Sequence, residues 1–136
     1  MRKFKTTPVD LANLRHYKTR AEECHRLAKY ACAEGLWFGT CINAVHSSIA
    51  LADSLSIFFR RTRYAGTSHD EAIEYYSTLQ LNKPNFHNSI QKLGTILSIK
   101  NQAEYADETL TEKDATHILK QLDRFREFIL KILPSD

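Results

Sequence analysis

The sequence predicts an all-α fold, a five-helix up-and-down bundle, and three observations lead to it. Apolar residues recur at three- and four-residue spacing through successive runs, the signature of helices with one face buried. Only 4 Gly and 3 Pro occur in 136 residues, too few for the many turns of a sandwich or barrel. With 43% hydrophobic and 26% charged residues, the composition is that of an ordinary globular protein. A 136-residue length suits one domain, so residues 1–136 are read as a single helical unit.

The first helix is expected to start at Thr7-Pro8-Val9-Asp10. There Thr7 would cap, Pro8 would occupy the first helical position, where a missing N–H costs nothing, and Asp10 would face the positive helix end. Its apolar stripe runs through Leu11, Leu14, Tyr17 or Lys18, Ala21, Cys24 or His25, Ala28, and Ala31 or Cys32, and breaks at Gly35. From Leu36 to Arg61 the chain is apolar on nearly all sides, so this is the central helix. Its small residues Ala44, Ser47, Ser48, Ala52 and Ser56 allow neighbouring helices to approach closely. Residues 62–67 read as a short loop containing Gly66, after which Ser68-His69-Asp70-Glu71 is a capping box. The third helix buries Ala72, Ile73, Tyr76 and Leu79 and is expected to end at Asn82-Lys83-Pro84. A fourth starts at Asn85 or Phe86, buries Ile90, Leu93, Ile96, Leu97 and Ile99, and runs to Ala103 or Tyr105. Thr111, with Asp114 three residues on, opens a fifth that buries Ala115, Ile118, Leu119, Leu122, Phe125, Phe128, Ile129 and Ile132, and Pro134 closes it.

Charge is uneven along the chain. Residues 1–66 carry 11 Lys/Arg against 5 Asp/Glu, while residues 67–136 carry 8 against 11, so a polyanion would meet the first half. The run Ile49–Phe59 is interrupted by Asp53 and two serines and is too short for a membrane span, and the basic start lacks the apolar run of a signal peptide. A cytoplasmic protein without membrane contact is therefore expected. Cys24, Cys32 and Cys41 form no C-x-x-C pair and read as small buried hydrophobes. No Walker loop, dinucleotide fingerprint or zinc spacing is present, and no cofactor is expected.

Three constellations bear on chemistry. Glu22-x-x-His25 and Asp114-x-x-His117 have the spacing of helical di-metal ligands, but the further carboxylates that such a site needs, with Asp53 and Glu71 or Glu74 as candidates, stand at no diagnostic spacing. Glu22 and His25 then read as surface or interface groups and His117 as a partly buried imidazole. Arg63 and His69 flank a loop that enters a helix. A guanidinium that stabilises a phosphorane-like transition state beside an imidazole that moves a proton is the minimum kit for cutting RNA through its own 2′-hydroxyl. Lys100, Asn101 and Tyr105 follow an apolar stripe at the end of the fourth helix. His46, alone among apolar neighbours, reads as a core or interface histidine or as a residue lining a cleft. Trp37, Phe38, Phe58 and Phe59 read as core or dimer contacts before base-stacking platforms.

The order of a long amphipathic helix, a second with the small-residue run Ala44 to Asp53, the K-N-Q-A-E-Y-A-D segment from Lys100, and T-x-x-D-A at Thr111 opening a helix with Phe125 and Phe128 resembles the HEPN family over residues 14–133. The resemblance implies a helical bundle, frequently a homodimer, of the kind found in RNA-cleaving toxins, defence systems and partners of minimal nucleotidyltransferases. Catalytic members carry an arginine and, four to six residues later, a histidine in this third segment, combined from two protomers in a shared cleft. Here Lys100 stands for the arginine and Tyr105 for the histidine, while Asn101 keeps the polar residue. Tyrosine, with a pKa of about 10, is a poor base at neutral pH, and lysine lacks the planar fork that grips phosphate.

The expected function is therefore a HEPN-like, homodimeric module of a toxin–antitoxin or defence system, its ribonuclease residues replaced. It would bind RNA, nucleotide or a partner protein through Lys100, Asn101, Tyr105, Arg61 and His46. One alternative is a metal-independent endoribonuclease using Arg63 and His69. Another is a purely structural partner of a nucleotidyltransferase or antitoxin component.

Overall fold

The structure, a computed structural model, describes residues 3–105 and 109–135; of residues 100 and 103–105 it describes the backbone only. Five helices, α1 (Leu14–Ala33), α2 (Trp37–Arg60), α3 (His69–Ser77), α4 (Phe86–Tyr105) and α5 (Glu112–Ile132), carry most of the chain. A two-stranded antiparallel sheet, β1 (Thr6–Pro8) with β2 (Thr62–Tyr64), joins the chain before α1 to the chain after α2.

The long helices alternate in direction. The Ser47 hydroxyl donates to the Ala21 carbonyl at 2.8 Å, and a Cβ placed on Gly39 would lie 3.6 Å from the Ala31 Cβ, so α1 and α2 run antiparallel. Glu22 with Arg126 and His25 with Asp123 show that α1 and α5 are antiparallel too. The Phe86 and Phe128 rings, 6.4 Å apart, set the start of α4 against the end of α5. The short α3 packs on α4. Helix α2 is the core element and touches α1, α4 and α5.

Burial follows the predicted stripes in the main, but Leu11 is exposed in the turn before α1, and Ile73, Leu79, Ile99, Leu119, Phe128 and Ile132 are half-buried. Ile90, Leu93, Ile96 and Leu97 of α4 and Ala115, Ile118, Leu122, Phe125 and Ile129 of α5 are buried, as are Cys41, Ala44, Val45, Leu51, Ala52 and Leu55 of α2. At the ambiguous α1 positions the core takes His25 and Ala31, leaving Cys24 and Cys32 half-buried. Helix α2 is long and apolar enough to cross a membrane, and 67% of that window is buried inside the fold. The apolar run Ile49–Phe59 is only one part of this 24-residue helix. Its serines are satisfied in place: Ser54 donates to the Ala50 carbonyl, Ser48 to Val45, and Ser56 to Thr62.

Three boundaries differ from expectation. Thr7 and Pro8 do not start a helix. They form β1, because a pairing partner lies beyond α2, and the capping role passes to Asp10, whose carboxylate accepts the Ala12 N–H at 2.8 Å above a 3-10 turn at Leu11–Asn13. Part of the expected loop at 62–67 is β2 for the same reason. Helix α3 stops at Ser77, well before Pro84, where Arg60 holds both the hydroxyl and the carbonyl of Thr78, at 2.7 and 2.6 Å. The other boundary signals stand where expected: Gly35 ends α1 at φ +73°, Ser68 accepts the Glu71 N–H, and Thr111 and Asp114 form a complete capping box.

Candidate functional site

The strand pair builds the site. In the register Thr7↔Arg63, the alternation of side chains puts Thr62 and Tyr64 on one face and Arg63 on the other. The first face packs on α3: the Thr62 hydroxyl lies 2.8 Å from the Tyr75 hydroxyl, and the Tyr64 and Tyr75 rings are 6.0 Å apart. The second face turns Arg63 toward the first turns of α1. There Arg63 lines a cleft of about 390 Å³ with Thr7, Asn13, His16, Tyr17 and Arg20. Arg20 lies over the Tyr17 ring, 4.8 Å from its centre, which fixes the guanidinium at the rim. Asp10 is the acid in the lining, and its carboxylate is held by the Ala12 N–H. The pairing also carries Lys5 into this region, since its carbonyl accepts the Ala65 N–H at 2.8 Å.

Asp53 of α2 lies within electrostatic reach of Arg63 and Arg20. It is 7% exposed and accepts the Tyr76 hydroxyl at 2.6 Å. Burial lifts its pKa to about 6, although the Tyr76 hydrogen bond and the Arg63 and Arg20 charges pull the other way. Burial likewise pushes the Tyr76 phenol well up, and the Asp53 charge adds to it.

Arg61 caps α2 in the left-handed region, at φ 56°, and its guanidinium donates to the Phe58 carbonyl of its own helix. His69 occupies the first position of α3 and is not among the residues lining the Arg63 cleft. His46 is exposed on α2 and so is not a core histidine in this chain. It shares a stripe with Phe38, 56% exposed, and with half-buried Ile42 and Ile49. Asn101 is exposed on the last turn of α4, whereas the side chains of Lys100 and Tyr105 lie outside the described residues. Trp37 and Phe58 are half-buried, and Phe59 is exposed.

The paired motifs become interhelical contacts. Arg126 donates twice to the Glu22 carboxylate, at 2.9 and 2.7 Å, which holds Glu22 below the usual carboxylate range, and His25 Nε2 lies 2.7 Å from Asp123 Oδ1. His117 is exposed rather than partly buried, because it falls on the outer side of α5, next to buried Ile118. Among the described residues no group of three His, Cys, Asp or Glu is placed to hold a metal ion. Cys41 is fully buried, and burial pushes its thiol up to about 11.

His16, Tyr17 and Arg20 were missed as site residues, and Asp53 was considered only as a metal carboxylate. Their signals were present: a basic and aromatic cluster at i, i+1 and i+4 on α1, and a lone acid inside an apolar helix. Compared with known proteins, the chain matches no protein-family model and no curated protein.

Proposed function

We propose that this chain is a HEPN-like helical module that binds single-stranded RNA, with phosphates of the backbone held in the cleft between β2 and α1. The observation that carries the reading is the Thr7↔Arg63 register, which sets Arg63 beside Arg20 and His16 in one cleft. Two guanidiniums at a concave surface grip phosphate oxygens through charge-assisted hydrogen bonds. The excess of basic residues before residue 67 adds attraction over longer range. The stripe of exposed Phe38 and His46 with half-buried Ile42 and Ile49 supports a homodimer. A dimer mass in light scattering that falls to the monomer in Phe38→Glu tests that part.

Titration of a labelled oligoribonucleotide at several salt concentrations tests the binding. Two phosphate contacts on a single strand predict a slope of log affinity against log salt of about −1.4, and Arg63→Ala should flatten it by about 0.7. Affinity that is independent of salt, or unchanged in Arg63→Ala and Arg20→Ala, refutes the reading.

A second reading, metal-independent RNA cleavage, is favoured by the position of His16 in the same cleft as both arginines. Cleavage in EDTA that is lost in His16→Ala and kept in His69→Ala supports it with the imidazole at residue 16. The reverse pattern returns the role to His69.

A further inference from the structure

A second cationic cavity, sharing no residue with the Arg63 cleft, lies between the first turns of α4 and the last turns of α5. Its volume is about 530 Å³, within the range of small-molecule sites. The segment before α4 contributes Lys83, Pro84 and Asn85. Helix α4 adds Asn88, Ser89 and Lys92, and α5 adds Arg124, Phe128 and Lys131 among others. The spacings on both helices are three and four, so each contributes one face, and the antiparallel packing marked by the Phe86–Phe128 ring contact sets those faces side by side.

Four cations and one acid line this cavity. The acid, Glu127, is engaged by Lys131 at 3.5 Å, whereas Lys83, Lys92 and Arg124 meet no acidic partner among the described residues. Lys92 is half-buried and lines the wall. The N-terminus of the 20-residue α4 opens here and adds a positive helix end.

Ser89 supplies an independent observation. It is only 4% exposed, it lines the cavity, and its hydroxyl makes no hydrogen bond among the described residues. Every other buried serine of the described chain, at 47, 48, 54 and 56, donates to a backbone carbonyl. The hydroxyl keeps solvent access and has no protein partner among the described residues, so on this wall, beside three cations, it is a group that a ligand can engage. The remaining wall is of a different kind. Phe128, with one ring neighbour in Phe86, offers apolar surface together with Pro84 and Ile132, while the Asn85 and Asn88 amides supply both donors and acceptors.

We propose that this cavity binds a free nucleoside phosphate, its phosphate on Lys83, Lys92, Arg124 and the Ser89 hydroxyl at the start of α4, and its base against Phe128. Inorganic phosphate alone would leave the apolar wall unused, and a duplex would not enter a concavity of this size. The proposal does not depend on RNA binding at Arg63.

Calorimetric titration of the full chain with AMP, ATP, ribose 5-phosphate, inorganic phosphate and a five-residue oligoribonucleotide tests it. The expected result is saturable binding of AMP and ATP that weakens with salt. The double variant Lys92→Ala/Arg124→Ala, both changes at the cavity wall, should lose about tenfold or more in affinity. Its unfolding curve should match the wild type, and Arg63→Ala should bind nucleotide unchanged. Phe128→Leu should weaken AMP while sparing inorganic phosphate. No saturable binding, or equal affinity in the double variant, overturns the site. Inorganic phosphate or ribose 5-phosphate binding as tightly as AMP overturns the role of the base. An oligoribonucleotide binding at least about tenfold tighter than AMP overturns the assignment to a free nucleotide.

Discussion

Replacing Asp53 by asparagine should stabilise this protein at neutral pH and destabilise it in acid. The wild-type carboxyl titrates at about 6 in the fold against an ordinary value of 3.8, a difference worth about 3 kcal/mol. Because the folded state holds the proton to higher pH than the unfolded chain, the contribution to stability is fully present below pH 3.8 and is lost as the pH rises to about 6. At pH 7 the fold therefore carries an ionised, 7% exposed carboxylate. The Asp53→Asn variant keeps an oxygen to accept the Tyr76 hydroxyl and removes the charge, but it adds a buried NH2 whose lost hydration costs about 1 kcal/mol. The net expectation is a gain of about 2 kcal/mol at pH 7 and a loss of about 0.5 kcal/mol at pH 4, where the unfolded carboxyl is already more than half ionised. Urea unfolding of both proteins at the two pH values measures this, and taking the difference between them cancels the other titrating groups. The same substitution removes a negative charge near Arg63 and Arg20, so on the proposed reading RNA affinity should rise at pH 7. A stability difference of the same size and sign at both pH values would refute the reasoning.

Glu22→Gln should lower stability by less than about 1 kcal/mol at neutral pH, since both members of the Glu22–Arg126 pair are about a third exposed and solvent screens them. Here the folded pKa is depressed, so the loss is present above pH 4.5 and vanishes as the pH falls below the folded value, the opposite sense to Asp53, and unfolding curves across that range check it. Phe125→Ala, at a fully buried α5 position, should cost about 3 to 5 kcal/mol in denaturant unfolding. Tyr64→Phe should raise stability by about 1 kcal/mol, because the Tyr64 hydroxyl is buried without a hydrogen-bond partner among the described residues. Gly66→Ala should lower it by about 1 to 3 kcal/mol, because a Cβ there would sit 2.1 Å from that hydroxyl, and thermal melts of the two variants should move in opposite directions.

The helices were legible where one stretch of chain contains its own reason to fold. The α5 stripe through Ile118, Leu122, Phe125 and Ile129, the Thr111 cap and the Gly35 break are local signals, and each appears where it was expected. Thr7 and Pro8 carry an equally good local signal for a helix start, yet they form a strand, because the competing partner at Arg63 lies beyond two long helices. The same distance hid the site. Arg63 could be singled out, but the choice of His16 and Arg20 as its neighbours depends on that pairing and not on any spacing along the chain. His46 lies at the surface for a related reason: its neighbours in sequence are apolar, but α3 bonds to Asp53 and Ser56 farther along α2 and His46 is left exposed, which removes the core reading alone.

The strand pair is too short to hold the cleft together unaided, since an isolated two-stranded ribbon is at best marginal in water. Pro8 and Thr62 stand at the two ends of the α1–α2 hairpin, so closing the sheet costs little loop entropy only after that hairpin has formed. The register of α1 on α2 therefore decides where Arg20 meets Arg63. Small residues set that register: Ala21, Ala28 and Ala31 are buried on α1, Ala44 is buried on α2, and Ser47 is hydrogen-bonded to the Ala21 carbonyl. A slip of one helical turn would carry Arg20 about 5.4 Å along the axis, farther than a phosphate held between two guanidiniums can follow. Enlarging Ala21 should, on the proposed reading, weaken RNA binding by more than its effect on stability explains, because it moves one wall of the cleft against the other.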